Sequence, residues 1–76
     1  MRLTNKQIQF IINCDIEELV SLLQKDYNFS IIEAFDTVYN SNLYKTLINT
    51  GNGMYIQSPL YQYEYLKKEL SSQNKI

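Results

Sequence analysis

The residues of this chain whose types could do chemistry are few: the thiol Cys14, the neighbouring carboxylates Asp15, Glu17 and Glu18, and the stretch TGNGMYIQSP at 50–59, which holds both glycines and the only proline. No histidine is present, so the commonest general base and the commonest zinc ligand are both missing. A lone cysteine without a histidine partner is a poor nucleophile, and a thiol on a helix usually acts as a small buried hydrophobe. The three carboxylates do not converge on a metal, because consecutive helical positions point about 100 degrees apart. The glycine stretch lacks the Gly-x-x-x-x-Gly-Lys pattern, has no lysine after its glycines, and follows no strand that would feed a nucleotide fold. No catalytic, cofactor-binding or metal-ligating set is therefore expected, and the reading is of a non-enzymatic chain.

The elements that would position these residues read as helices. Thr4 and Gln7 in TNKQ fit a capping box, and helix-period apolar residues follow at Ile8, Ile11, Ile12, Ile16, Leu19, Val20, Leu22 and Leu23. A core-facing helix over about 5–25 is expected. Asp15 falls inside its apolar stripe, whereas Phe10 and Cys14 project from the opposite side. Either the helix bends near Asn13, with Asp15 recapping it through DIEE, or its first half is covered on two sides; the second is favoured. A buried Asp15 needs a partner, and the Tyr39 or Tyr44 hydroxyl or Lys45 is the candidate.

Ser30 and Glu33 form a second capping box ahead of a helix over about 31–40, with Ile31, Ala34, Phe35, Val38 and Tyr39 on its apolar face. Ser41 can cap a third helix in which Leu43, Tyr44, Leu47 and Ile48 share a face. Both helices are too short to persist unless they dock. Gly51 then sits where a left-handed residue would end the third helix, and Asn52-Gly53 supplies a further tight turn. MYIQ at 54–57 has a period of two and is expected to be extended. Ser58-Pro59 is an N-cap followed by proline at the first helical position, opening a fourth helix to about Leu70 with Leu60, Tyr63, Leu66 and Leu70 inward. The expected fold is all-α: a compact bundle of about four helices, residues 1–70, with one short extended segment near 54–57 and a frayed tail at 71–76.

At 76 residues and 9.0 kDa, a single domain of this size buries only roughly 60–65% of the surface its unfolded chain exposes, so further apolar contacts weigh heavily and self-association is favoured. The longest apolar cluster, IQFIINCDIEELVSLL, is broken by Asn13, Asp15, Glu17 and Glu18, which leaves no room for a membrane span. MRLTNKQ has no unbroken apolar run and no small-residue cleavage site, so no secretory signal is read and a cytoplasmic location is expected. The single cysteine agrees with a reducing compartment. Abundant Asn, Ile, Lys and Tyr suggest an AT-rich bacterial genome.

Net charge is −1, but residues 15–36 hold six acids against Lys25 alone, while the flanks carry Arg2, Lys6, Lys45, Lys67, Lys68 and Lys75. The second and third helices resemble a helix-turn-helix in outline, with MYIQ as a rudimentary wing. Glu33 and Asp36 on the solvent side, with only Lys45 to meet phosphates, argue against DNA binding unless a dimer gathers the basic flanks. The aromatic content points elsewhere. Seven tyrosines and three phenylalanines exceed what four short helices need inside, and tyrosine is enriched at protein contacts because it buries area while keeping a wet hydroxyl. Phe10, Tyr61, Tyr65 and Lys68, with Met54, Tyr55 and Ile56 from the extended run, form the candidate interface. The expected partner is a second copy or another small protein, with no membrane and no identifiable small-molecule substrate.

Tyr44 and Leu47, the Gly51–Gly53 turn, Tyr55 through Pro59, and the tyrosine-bearing run Tyr61 to Leu66 together resemble small bacterial proteins built from domains of unknown function. The resemblance covers most of the chain and brings no catalytic residues with it. It implies a partner-dependent role, including membership of a toxin-antitoxin-like pair; a DNA-binding regulator is the other alternative to a self-associating interaction module.

Overall fold

The computed structural model describes residues 3–73 and contains four α-helices: α1 (Asn5–Tyr27), α2 (Ile31–Tyr39), α3 (Asn42–Ile48) and α4 (Pro59–Gln73). Two 3-10 turns, Thr50–Asn52 and Met54–Ile56, link α3 to α4. No strand occurs among the described residues. The molecule is a small all-α bundle, elongated to 45 × 22 × 18 Å because α1 spans most of its length.

Local chemistry sets the helix boundaries. The Thr4 hydroxyl accepts from the Gln7 amide at 3.1 Å while the Gln7 side chain accepts from the Thr4 amide at 2.8 Å. Ser30 and Glu33 repeat the exchange at the start of α2, again at 3.1 and 2.8 Å. Each box satisfies two of the amides that a helix start leaves orphaned. α1 stops at Asn28, which adopts the left-handed conformation at φ 59° and donates its amide to the Gln24 carbonyl. Asparagine tolerates that region better than other side-chain-bearing residues. Phe29 then stacks on Tyr27 with ring centroids 5.3 Å apart. At the α2–α3 corner the Ser41 hydroxyl donates to the Val38 carbonyl and accepts from the Tyr44 amide, so one buried side chain ends one helix and begins the next.

The core joins Ile12, Ile16, Leu19, Val20 and Leu23 of α1 to Ala34 and Val38 of α2, Leu43 and Leu47 of α3, Tyr55, and Tyr63 and Leu66 of α4. α1 packs on α2, α4 and the second 3-10 turn, and α3 packs on α4 and that same turn. Each fully buried leucine contributes on the order of 1.5–3 kcal/mol. The short α3 is held from outside as well: the Glu69 carboxylate of α4 accepts from the Asn42 amide at 2.6 Å and from the Leu43 amide at 3.2 Å, placing negative charge on the open amides of a helix start.

Several expectations need correction. Residues 54–56 are not extended. The Ile56 amide bonds to the Gly53 carbonyl and the Gln57 amide to the Met54 carbonyl, while the Met54 amide meets the Asn52 side chain. A run this short carries too few residues to separate a period of two from a tight turn, and the local bonds leave no edge to pair with another strand. The left-handed glycine is Gly53 at φ 78°, not Gly51; α3 ends one residue before Asn49, and the 3-10 turn intervenes.

α1 runs uninterrupted through Asn13 and Asp15, yet Phe10 and Cys14 remain exposed, so the helix is neither recapped at Asp15 nor covered on a second side. Leu60, expected inward, is exposed, as are Ile31, Tyr39 and Ile48. These residues lie at the flanks of their helices' apolar arcs, where the neighbouring elements do not cover them fully. The α4 helix continues past Leu70 to Gln73, so the first part of the expected tail is helical; residues 74–76 lie outside the described residues.

Candidate interaction surface

The polar interior is built around Gln62. This side chain is fully buried, and its Nε2 lies 3.0 Å from Asp15 Oδ2, 3.0 Å from the Met54 carbonyl and 3.1 Å from the Gln57 carbonyl. One amide thus ties α4 to the middle of α1 and to both ends of the second 3-10 turn. The reversed amide would set its oxygen against a carboxylate and two carbonyls, so the hydrogen-bond network assigns the orientation. Burial pushes the Asp15 carboxyl above its ordinary range, and the Gln62 hydrogen bond pulls partly against that shift. The partner is not Tyr39, Tyr44 or Lys45. Part of a signal for the pairing was present: Asp15 lies inside the apolar stripe of α1, whereas Gln62 only borders that of α4, about 40 degrees from Leu66, so residue order marked the carboxylate and not its partner.

Tyr63 anchors the same α4 face one residue on. Its hydroxyl donates to Asp26 Oδ2 at 2.7 Å and lies 3.3 Å from the Leu22 carbonyl. Burial, and then the Asp26 carboxylate, hold the phenol well above its ordinary range. Lys67 covers the ring at 5.2 Å from its centroid and pairs with Glu64 at 3.2 Å. These groups position structure. Among the described residues no group of three or more His, Cys, Asp or Glu is placed to hold a metal ion.

The sequence-derived interface residues divide. Phe10 and Ile56 are each 68% exposed, Tyr61 is 54% and Tyr65 41% exposed, and Lys68 is exposed too. Tyr55 is instead buried in the core and Met54 packs partly against it, because the 3-10 turn rotates Tyr55 inward and offers no edge. The exposed members do not form one patch. Phe10 lines a shallow groove at the start of α1 with Leu3, Lys6, Gln7 and Ile11, whereas Tyr65 and Lys68 line another with Asn42, Glu69 and Ser72.

A third apolar surface went unforeseen. On α2 the Phe35 and Tyr39 rings stack at 6.0 Å, and Tyr39 meets Tyr44 of α3 edge-on at 4.9 Å. Ile32, the most exposed large apolar residue at 71%, and Ile31 belong to the same helix. The apolar arc of α2 is wider than the bundle covers, and wheel geometry alone could not say which part would be left open. Glu33 and Asp36 are exposed on α2, and Lys45 is exposed on α3.

These features define a small helical bundle whose polar groups brace the interior and whose apolar side chains are left on several outer faces. Among the described residues no helix is long and apolar enough to cross a membrane. No protein-family model, curated protein or solved structure matches the chain.

Proposed function

We propose that this chain is a non-enzymatic protein-interaction module that self-associates. The observation that carries the reading is the division of its apolar side chains: among the described residues, ten large hydrophobic residues stay exposed beside a core of twelve. Single exposed apolar residues are ordinary on any surface. Here they recur along single helices, Tyr61 and Tyr65 one turn apart on α4, and Ile31, Ile32 and Tyr39 within about two turns on α2. Aromatic side chains of this kind bury large areas at small rotamer cost when a partner arrives.

Sedimentation velocity from micromolar to near-millimolar protein tests the reading. A reversible dimer is expected, and Phe10→Lys, Ile32→Lys and Tyr61→Lys/Tyr65→Lys identify the face by which of them dissociates it. A single chain throughout that range would remove self-association.

A further inference from the structure

The open face of α1 is complementary to itself. Lys6, Phe10, Cys14, Glu17 and Ser21 fall within an arc of about 80 degrees at 3.6 residues per turn, and every one of them is exposed. The elements that pack on α1 do so through its buried residues Ile12, Asp15, Ile16, Leu19, Val20 and Leu23, on the other side. Along the open stripe the order is cation, phenyl ring, thiol, carboxylate, with Glu18 beside Glu17.

We propose that a second copy of this chain docks here, α1 against α1 in antiparallel orientation about a two-fold axis near position 12. This rests on the self-association reading and names its surface and geometry. In an antiparallel pair, residues whose numbers share a constant sum come level. With that axis Phe10 of each copy meets Cys14 of the other, and Lys6 comes within one residue, about 1.5 Å, of the level of Glu17 on the same flank of the contact. The apolar centre and the flanking charges are satisfied in one register. A two-fold contact makes each pairing twice, as an isologous interface requires.

Charge selects this arrangement over its competitors. A parallel pair would set Lys6 beside Lys6 and Glu17 beside Glu17 of the second copy. An antiparallel register with Phe10 facing Phe10 would bring Lys6 level with Cys14 and leave Glu17 against Leu3. Specificity of this kind comes as much from the like-charge juxtapositions avoided as from the pairs made. The contact covers only a few turns of helix, at the small end of interface sizes, so the dimer is of the weak, reversible class and weakens with salt.

Charge reversal tests it. Lys6→Glu and Glu17→Lys/Glu18→Lys are separately expected to sediment as single chains where the parent dimerises, and their equimolar mixture to recover the dimer. Both alter exposed helical positions, and far-ultraviolet circular dichroism with thermal melting verifies that each variant is folded. A bismaleimide spanner supplies a second readout. In the proposed register the two Cys14 residues are displaced by four residues, or about 6 Å, along the axis, so a short spanner is expected to give covalent dimer. If the reversed variants dimerise like the parent, or their mixture fails to recover, the α1 contact is overturned while self-association through another face stands. If the parent never dimerises, the self-association reading falls with it.

Discussion

Gln62 and Asp15, separated by 47 positions in the chain, meet at 3.0 Å in the interior through the glutamine amide. The amide nitrogen has two hydrogens and three acceptors within 3.1 Å, while Gln62 Oε1 is buried with no hydrogen-bond partner among the described residues. Gln62→Leu keeps much of the volume but strips the donor from a carboxylate and two carbonyls. A loss of about 2–3 kcal/mol is expected in urea unfolding, since buried polar groups without partners carry their full desolvation penalty. Wild-type stability in this variant would mean that the amide does not brace the turn.

The same pair gives the protein a pH dependence of known sign. The folded Asp15 carboxyl titrates above its ordinary value of 3.8 because burial disfavours the charge, so folding takes up a proton there. Its favourable contribution is fully present below 3.8 and is lost as pH rises through the raised folded value. Asp15→Asn removes the charge and keeps an acceptor for Gln62. At neutral pH it is expected to melt above the parent, with the gap closing on acidification through that window. Melting curves across acidic to neutral pH measure this, and a constant gap would refute the assignment to Asp15.

Glu69 tests how α3 is held. Its two carboxylate oxygens accept from the Asn42 and Leu43 amides. Glu69→Ala is expected to cost about 1–2 kcal/mol, the range of a lost helix cap strengthened by charge, and Glu69→Gln less. Hydrogen exchange at the Asn42 and Leu43 amides should accelerate in the alanine variant. Unchanged exchange would show that the carboxylate is incidental.

The two glycines separate cleanly. Gly53 stands at φ 78° with nothing within 4 Å of an added Cβ, so Gly53→Ala meets backbone strain alone and is expected to cost about 1–2 kcal/mol. Gly51 has no such conformation, and an added Cβ would approach only the Asn49 side chain, at 3.9 Å. Gly51→Ala is expected to be neutral or stabilising by a few tenths of a kcal/mol, through the lower entropy of the unfolded chain. Chemical denaturation of the two variants reads both, and equal costs would contradict the turn geometry.

Helix number and starting points were legible from residue order because their causes are local. Thr4 with Gln7, Ser30 with Glu33, Ser41 and Ser58-Pro59 each satisfy amides within one turn of themselves, and the periodicity of Ile12, Ile16, Leu19 and Leu23 marks a buried face whatever packs against it. Leu60, Ile31 and Ile48 show where that logic ends. Their positions continue an apolar stripe, but whether a flank is covered depends on which neighbour arrives and at what angle. MYIQ failed for a related reason, since three or four residues hold too little periodicity to oppose the bonds of a 3-10 turn.

By itself the amino-acid order determined that this chain is an all-α bundle, where its helices begin, and that Asp15 requires a partner, because caps and amphipathic stripes act over a single turn. Only the tertiary structure decided that the partner is Gln62, that Glu69 holds α3, that Tyr55 turns inward, and that α2 also leaves an apolar face open. Those outcomes depend on contacts between residues tens of positions apart. Short helices meet such contacts only once the core has chosen their neighbours.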